Sequence, residues 1–316
     1  MAFELYKNKR QIEIYDVSMS EKPIAVFDAN NSTSFRNDSE ELVIKLVVKD
    51  GFVGIPWCML QYSKDEILLQ VDNCKLGKQL VSTYKRLQEF PYYDEDYTVL
   101  NTMRDCEGTI LDVGANYGQS MYAFYNVLRC NIISFEVVPD LYEVLKIMKQ
   151  LIDCEDRVRI INSGISDKEE EIVWYEPSNP VMSGSFDKQF ISGRKLGVDI
   201  AEKIMKCKPL DDLIDSYENI WFIKMDVEGF EFEALKGAKR IIKENHPVIL
   251  IEQNEKIESI QELLGDEYEL WYYDLYADRF SEKRVSKLNC WLIPKEGFRS
   301  DNVKKLIAGR VSSGGH

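Results

Sequence analysis

The spacing of hydrophobic positions along this 316-residue chain changes near residue 109. Before that point, runs rich in β-branched and aromatic residues predict strands, namely QIEIYDV, PIAVFDA, ELVIKLVVKDGFVGIPWCML and EILLQV. Within the third run, Asp50 and Gly51 predict a two-residue hairpin turn. A helical period follows in LGKQLVSTYKRLQEF. We therefore expect a β-rich accessory region over residues 1–90, which either packs on the main domain or shapes a substrate site or dimer interface.

From residue 109 onward, short apolar strands alternate with helical periods, which predicts βαβ units and an α/β fold with a parallel sheet. The expected strands are TILDV, NIISFEV, RVRII, NIWFIKM and PVILIEQ, and YELWYYDLY with LNCWLIP is expected to form a closing hairpin. One helix is predicted after the fourth strand, with Glu231 and Glu233 in its first turn and Lys243 near its end. We assign this main domain to residues 91–300 and a tail to residues 301–316.

The alternation lapses between residues 168 and 208. A strand is predicted at 171–175, but the rest is rich in Gly, Ser and Pro and is too long for an ordinary connection, which is typical of lids, binding loops or disorder. Arg194 and Lys195 within it either hold a phosphate of a nucleotide-linked sugar or form a solvated basic pair. Substrate choice is expected to depend on this segment.

Charge and cysteine content narrow the classes of partner. The formal net charge of −14 and a pI near 4.8 repel polyanions, so no nucleic-acid partner is expected. Seven cysteines without a CxxC pair indicate free thiols in a reducing compartment and no zinc site. No run of about 18 apolar residues occurs, so we expect no membrane insertion and a cytoplasmic location. A homo-oligomer is left open.

The turn after the first strand, LDVGANYGQ, restricts the cofactor. A dinucleotide turn requires G-x-G-x-x-G, but the second and third glycine positions are Asn116 and Gln119. The spacing found, Asp112 with Gly114 and Gly118, favours S-adenosyl-L-methionine, which has no phosphate. Asp112 would lie near the ammonium group of this cofactor. Further along, Glu136 at the end of the second strand would accept hydrogen bonds from ribose hydroxyls, and the small residues Ser163 and Gly164 would let backbone amides reach adenine.

A second acidic group follows the fourth strand in IKMDVEGFE. Lys224 and Asp226 share a face of the strand, and Glu228 continues the alternation. In open α/β sheets ligands lie beyond the carboxyl ends of the strands, where Glu252 and Asn254 of the next strand also lie. The alternative is a structural pair between Lys224 and a carboxylate, with Glu228 capping the helix.

No metal is expected at this edge, although Asp226, Glu252 and Asn254 offer oxygen ligands that suit magnesium as a minority alternative. His246 precedes Pro247 at the amino end of its strand, on the wrong edge of the sheet for a catalytic base.

These segments resemble the FkbM family of S-adenosylmethionine-dependent methyltransferases over about residues 105–255. The stretches that carry the resemblance are LDVGANYG, FEVVPDLYEVLK, INSGISD, PLDDLI, IKMDVEGFEFEALKGAKRII and PVILIEQNE. The resemblance implies a class I methyltransferase sheet of seven strands with the last antiparallel, and methylation of a hydroxyl, often on a sugar. It also implies that the cofactor meets the substrate beside Asp226 and Glu228. The residues that the resemblance places in contact with the cofactor are Asp112, Gly114, Ala115, Asn116, Tyr117, Gly118 and Glu136.

The function expected is therefore O-methylation of a sugar or a similar small polar acceptor, with S-adenosyl-L-homocysteine as the product. Asp226 or Glu228 would orient and deprotonate the acceptor hydroxyl, and Lys224 would keep one of them ionised. Three alternatives stay open: methylation of a small amine, a nicotinamide-dependent oxidoreductase, and a methyltransferase fold that serves as a non-catalytic scaffold.

Overall fold

A computed structural model of the chain describes most of the residues after position 74 and six short strands before it. The described ranges are 75–92, 94–152, 154, 156–178, 184–193, 197–216, 219–285 and 288–296, with single residues at 304 and 307. The chain divides into two compact units, residues 1–82 and 83–316. The boundary falls inside helix α1 (Lys75–Glu89). The presence of α1 confirms the helix predicted from the sequence LGKQLVSTYKRLQEF. The predicted boundaries at residues 90 and 300 stay predictions.

The first unit contains two small sheets. Its strands are β1 (Phe3–Leu5), β2 (Ile12–Asp16), β3 (Ala25–Phe27), β4 (Ile44–Val48), β5 (Cys58–Leu60) and β6 (Leu69–Val71). β3, β2, β4 and β6 form one sheet in that order, whereas β1 pairs with β5. The predicted turn at Asp50–Gly51 lies outside the described residues. The strands described on either side of it, β4 and β5, belong to different sheets, and the hairpin at this turn stays a prediction.

The second unit is built on a mostly parallel sheet. Its strands are β7 (Thr109–Val113), β8 (Asn131–Glu136), β9 (Val158–Asn162), β13 (Ile220–Met225), β14 (Val248–Glu252), β15 (Tyr268–Asp274), β16 (Arg279–Ser281) and β17 (Asn289–Pro294). The order across the sheet is β9, β8, β7, β13, β14, β17, β15, β16. The first five strands in this order, β9, β8, β7, β13 and β14, are parallel to one another. β17 runs antiparallel to both of its neighbours, β14 and β15. The α/β class and the antiparallel last strand are as predicted.

Helices connect these strands, and a 3₁₀ helix, Glu95–Met103, precedes β7. The remaining helices are α2 (Gln119–Val127), α3 (Pro139–Leu151), α4 (Lys188–Gly193), α5 (Leu210–Leu213), α6 (Glu231–Lys236), α7 (Lys239–Asn245) and α8 (Ile257–Leu264). A second 3₁₀ helix, Gly265–Glu267, leads into β15. Among the described residues, no helix is long and apolar enough to cross a membrane.

The two faces of the central sheet carry alternate residues of each strand. One face packs Leu111 and Ile223 with buried residues of α6, α7 and α8. On the other face, Phe222 stacks edge-on against Phe124 of α2, with ring centroids 5.6 Å apart. Since β7 and β13 are buried along their whole length, their polar residues need internal partners.

The structure differs from the sequence prediction in three further respects. The sheet has eight strands instead of seven, because the three-residue β16 adds to its edge. The 168–208 segment is not mainly irregular: β11 (Glu170–Pro177) and β12 (Ile200–Lys208) pair along eight positions, and β12 also pairs with the short β10 (Gly164–Ile165). The single helix expected after the fourth strand is two helices, interrupted at Gly237, where an added Cβ would lie 2.0 Å from the Ser166 carbonyl oxygen.

Candidate active site

A row of polar side chains crosses the buried sheet near the carboxyl ends of three adjacent strands. The parallel register places Asp112 of β7 directly beside Ser134 of β8 and beside Lys224 of β13. All three side chains are almost completely buried. They point to the face that packs on α2, because residues two apart on a strand share a face and Phe222 contacts Phe124 of α2.

Both carboxylate oxygens of Asp112 accept hydrogen bonds from polar neighbours in this row and in α2. Its carboxylate accepts hydrogen bonds from Ser120 Oγ at 2.8 and 2.9 Å and from Ser134 Oγ at 3.2 Å, and Lys224 Nζ lies 3.6 Å away. Burial raises the pKa of Asp112, although Lys224 and the two serines oppose the shift. The structure therefore supports the alternative reading of Lys224 as a member of a buried ion pair.

Lys224 connects the carboxyl ends of β7 and β13, where the sequence predicted the cofactor turn and the second acidic group. Its Nζ donates to the Gly114 carbonyl oxygen at 2.8 Å and lies 3.6 Å from Asp226 Oδ2. Burial alone would lower the pKa of Lys224, but the carboxylates of Asp226, Asp112 and Glu136 raise it overall. The ammonium group is therefore charged at neutral pH and neutralises part of the acidic surroundings.

The turn after β7 adopts a backbone conformation that depends on its glycines. Gly114 and Gly118 have φ values of 78° and 83°, and Asn116 between them has φ 49°. A Cβ on Gly114 would lie 1.9 Å from the Asp226 carbonyl oxygen, so the first turn packs against the second without room for a side chain. Ala115 and Tyr117 are buried, so this turn meets solvent mainly through Asn116 and Gln119.

Glu136 holds this turn from the end of β8. Its Oε2 accepts the Asn116 backbone N–H at 2.9 Å, and its Oε1 accepts that of Val138 at 2.9 Å. Burial raises the pKa of Glu136 to about 7, although these backbone hydrogen bonds oppose the shift. Asn162 Nδ2 donates to the Glu136 carbonyl oxygen at 2.7 Å and fixes the strand end. Sequence reasoning missed Asn162, whose position at the end of β9 was the available signal.

One polar atom of the first turn has no protein partner among the described residues. The side-chain Oδ1 of Asn116 is buried and makes no hydrogen bond. Buried acceptors are normally satisfied, and those that are not often mark a place where a ligand supplies the donor. Asn116 Oδ1 is therefore a candidate ligand contact at the residue that Glu136 positions.

The predicted adenine contacts have a different environment from the one expected. Gly164 is buried in β10, where a Cβ would lie 2.5 Å from Cys207 Sγ. Ser163 is partly buried, and its hydroxyl donates to the Gly164 carbonyl oxygen at 2.8 Å. Close packing against β12 is thus sufficient to explain why residue 164 is a glycine. An adenine contact by Ser163 and Gly164 stays a prediction.

The turn after β13 contains the second acidic group. The Asp226 side chain is 44% exposed, whereas Glu231, at the start of α6, is completely buried. Glu231 Oε1 accepts the backbone N–H groups of Val227 and Gly229 at 3.0 and 3.2 Å, and the Asn254 side chain donates to its Oε2 at 2.5 Å. Sequence reasoning treated Glu231 only as a favourable charge in a helical first turn and missed this role.

Residues 184–193 cover the second turn. Ser185 Oγ donates to the Glu228 carbonyl oxygen at 2.6 Å, and the Phe190 ring lies 3.0 Å from the position of a Cβ on Gly229. Phe186 contacts Phe230 with ring centroids 5.1 Å apart. This part of the expected lid is therefore anchored on the acidic turn. Arg194 lies outside the described residues, and its phosphate contact stays a prediction.

The remaining predicted residues are placed as follows. Glu252 ends β14 beside Asn289 of β17, and the Asn254 amide is committed to Glu231 and to the Lys256 backbone. Within the part of the chain that the structure describes, no group of three His, Cys, Asp or Glu residues is arranged to hold a metal ion. His246 caps α7 before β14, at the opposite ends of the strands from Asp226.

Tyr97 joins this region from outside the segments that sequence reasoning considered. The side chain lies in the 3₁₀ helix and packs on Phe124, with ring centroids 5.7 Å apart. Burial, followed by the nearby carboxylates of Asp112 and Asp226, raises the pKa of Tyr97 well above its ordinary value. The phenol is therefore a neutral group near both acids, and the cluster of tyrosines before β7 was the only signal for it.

A mostly parallel α/β sheet with an antiparallel last strand, and with a glycine turn and an acidic turn at the ends of its two central strands, has the architecture of the class I methyltransferase fold. The model of the methyltransferase FkbM domain matches residues 112–275, more than half of the chain. The protein belongs to the FkbM methyltransferase domain family.

Solved structures of methyltransferases resemble the chain at low sequence identity. They include a methyltransferase FkbM from Methylobacillus flagellatus KT, with 16% identity, a TM-score of 0.42, and coverage of 69% of this chain and 55% of that one. An SAH-bound methyltransferase from Podospora anserina has 11% identity, a TM-score of 0.36, and coverage of 70% and 88%. The chain thus spans just over half of the Methylobacillus protein. A search of curated protein sequences gave no significant match.

Proposed function

We propose that the protein uses S-adenosyl-L-methionine to methylate a hydroxyl group of a sugar, such as a nucleotide-linked sugar or glycan precursor, or of a similar small polar acceptor. The observation that carries the proposal is the contact between the two turns. Lys224 donates a hydrogen bond to the Gly114 carbonyl oxygen and lies beside Asp226. The half-exposed carboxylate of Asp226 is therefore held next to the glycine turn. Such a site brings a base and a cofactor cradle together.

The residues of the first turn fit this cofactor. Glu136 offers an acidic acceptor at the end of β8, and Asn116 offers an unpartnered Oδ1 beside it. The turn lacks the second and third glycines that a pyrophosphate requires, which disfavours a nicotinamide dinucleotide. When bound, the cofactor would supply an electrophilic methyl group on a sulfonium centre.

We assign Asp112 a supporting role instead of a direct contact with the cofactor's ammonium group. Its carboxylate is completely buried and already accepts hydrogen bonds from two serines. Through its ion pair with Lys224 it keeps the lysine charged and in place, and Lys224 in turn holds the Gly114 carbonyl. Gly114, Ala115, Tyr117 and Gly118 shape the turn, and Asn116 and Glu136 bind the ligand.

Asp226 orients the acceptor hydroxyl and receives its proton, because it is the most exposed carboxylate of the described network. Positioned proton transfer of this kind contributes roughly 10²- to 10⁴-fold. Glu228 borders the acceptor site from its left-handed position in the turn, and the anchored segment 184–193 forms part of the wall. Glu252 and Arg194 are proposed to contact the acceptor, while Asn254 acts through Glu231.

The test is a methyl-transfer assay over a panel of nucleotide-linked sugars, free sugars, small polar alcohols and small amines, read by mass spectrometry. A mass gain of about one methylene on a hydroxyl compound, together with binding of S-adenosyl-L-homocysteine, supports the proposal. Methylation of amines alone would replace O-methylation by N-methylation. Tighter binding of NADH than of S-adenosyl-L-homocysteine would contradict the cofactor assignment. If the protein binds neither, it is a non-catalytic scaffold.

A further inference from the structure

The turn between β13 and α6 contains a conformation that the local sequence does not favour. Glu228 has φ 55° and Gly229 has φ 94°, so two successive residues adopt left-handed backbone conformations. A left-handed conformation is disfavoured for a residue with a Cβ, and it persists only where the surrounding structure holds it. The residues that hold this turn therefore decide where Asp226 and Glu228 point.

Glu231 makes the contacts that hold the turn from inside. Its Oε1 accepts the N–H groups of Val227 and Gly229, which are the two residues on either side of Glu228. The carboxylate is completely buried, so water does not replace these bonds if the side chain is changed. Burial raises the pKa of Glu231, and the carboxylate of Asp226 on the same turn raises it further, so the two groups are coupled electrostatically.

Asn254 completes the arrangement and has only one suitable orientation. Its Oδ1 accepts the Lys256 backbone N–H at 2.8 Å, so its Nδ2 must face Glu231 Oε2, which it does at 2.5 Å. Lys256 Nζ also donates to the Gly229 carbonyl oxygen at 3.2 Å. The end of β14 is thereby connected to the turn after β13 through a partly buried hydrogen bond between a carboxylate and an amide.

We infer that Glu231 and Asn254 are a positioning pair that fixes the Asp226–Gly229 turn and so sets the place of the Asp226 carboxylate beside the glycine turn. The inference rests on the proposed function, because it assigns the pair a purpose in methyl transfer. Neither residue touches the reacting atoms: Glu231 acts through the backbone of the turn, and Asn254 acts through Glu231.

The experiment exchanges donor and acceptor between the two positions. Glu231→Gln turns the group facing Asn254 into a second donor, and Asn254→Asp brings two carboxyl groups face to face. In the double variant, the introduced amide donates to the introduced carboxylate, which still accepts the Lys256 N–H. Glu258→Gln is the matched control, because Glu258 is an exposed acid on α8 that undergoes the same chemical change. Circular dichroism establishes that each variant is folded.

Two measurements are made on all variants: hydrogen exchange of the amides in residues 226–231, and kcat and KM for the acceptor that the panel assay identifies. We expect each single variant to exchange at least about tenfold faster and to lose about tenfold in kcat with little change in KM, because positioning of the base is lost. The double variant is expected to return to within about threefold of the unaltered protein in both measurements, as a compensating pair requires. The control is expected to match the unaltered protein.

Unchanged exchange in Glu231→Gln, or a double variant as impaired as the single variants, would overturn the inference. Faster exchange with undiminished kcat would show that the pair is structural only and would overturn it as well. If Glu231→Gln does not fold, Asn254→Asp and the double variant provide the same comparison. Failure of the unaltered protein to methylate any acceptor would overturn the proposed function, whereas the exchange rates would still decide whether the pair holds the turn.

Discussion

The turns after β7 and β13 are built in the same way but present different chemistry. Both follow central strands of the sheet, and both contain left-handed residues. Each is held by a buried glutamate that accepts backbone N–H groups: Glu136 accepts one from the first turn, at Asn116, and Glu231 accepts two from the second, at Val227 and Gly229. Burial raises the pKa of each of these two carboxyl groups to about 7.

The difference lies in what each turn leaves unsatisfied. The first turn leaves the Asn116 Oδ1 without a partner among the residues that the structure describes, whereas the second turn presents the half-exposed Asp226 carboxylate. The first is suited to receive hydrogen bonds from a ligand that stays in place, and the second is suited to exchange a proton. Under the proposed function, one backbone design thus supports a binding turn and a reactive turn side by side, with Lys224 connecting them.

The largest effect is expected from Gly114→Ala, which would drive the two turns apart. The new Cβ would lie 1.9 Å from the Asp226 carbonyl oxygen, at a backbone φ of 78° that disfavours alanine. We expect a loss of about 4 kcal/mol or more in the free energy of unfolding, measured by urea denaturation. Gly193→Ala is the control, because no atom of the described part of the chain lies within 4 Å of its Cβ position. Equal stability of the two variants would contradict the close contact.

Lys224→Met would remove the connection between the turns and leave Asp112 buried without its cation. Breaking a buried ion pair on one side typically costs about 3–5 kcal/mol, and we expect a loss at the lower end, because Ser120 and Ser134 still bind Asp112. The double variant with Asp112→Asn should recover part of this stability in thermal denaturation. A double variant less stable than Lys224→Met would argue against the pair.

Asp226→Asn tests the role of the reactive turn independently of the role of the binding turn. We expect kcat for methyl transfer to fall by about 10²-fold, because the amide cannot accept the hydroxyl proton, while the affinity for S-adenosyl-L-homocysteine changes less than about threefold. Asp212→Asn, at an exposed acid of α5, is the control. A large loss of cofactor affinity without a loss of kcat would reverse the roles assigned to the two turns.

The smallest effect concerns the proton on Glu136. Its pKa of about 7 in the folded protein exceeds its ordinary value of 4.5, so between these pH values the folded chain binds a proton that the unfolded chain has released. The free energy of unfolding therefore falls as the pH rises through this window, by about 1.4 kcal/mol per pH unit at most. Glu136→Gln should flatten this decline, measured as melting temperature between pH 5 and 8. An identical pH profile would contradict the assignment.

Local sequence patterns predicted the parallel sheet and the position of both turns, because strand and helix periods and glycine spacing are properties of neighbouring residues. They did not predict that Asp112 pairs with Ser134 and Lys224, since this depends on the register between strands far apart in the chain. The helix prediction missed the break at Gly237 for the same reason, because the Ser166 carbonyl that requires the glycine comes from another element.

Other parts of the site were missed because a simpler explanation of the sequence was available. Glu231 satisfied the expectation of an acid in the first turn of a helix, so nothing pointed to its burial. β12 was missed because its first five residues are exposed on both faces, which removes the alternation that identifies a strand. Tyr97 lies before about residue 105, where the resemblance to the family begins, so no motif pointed to it.

The hydrogen bond from Lys224 to the Gly114 carbonyl joins residues 110 positions apart in the chain. A contact of this sequence separation forms only after the intervening strands and helices have been brought together, and pairings of this kind slow folding. The paired geometry of the two turns therefore depends on the tertiary structure, and an unfolded chain lacks it. A ligand that recognises the finished site binds only the native state and shifts the folding equilibrium toward it, so it would also protect the chain from proteolysis and aggregation.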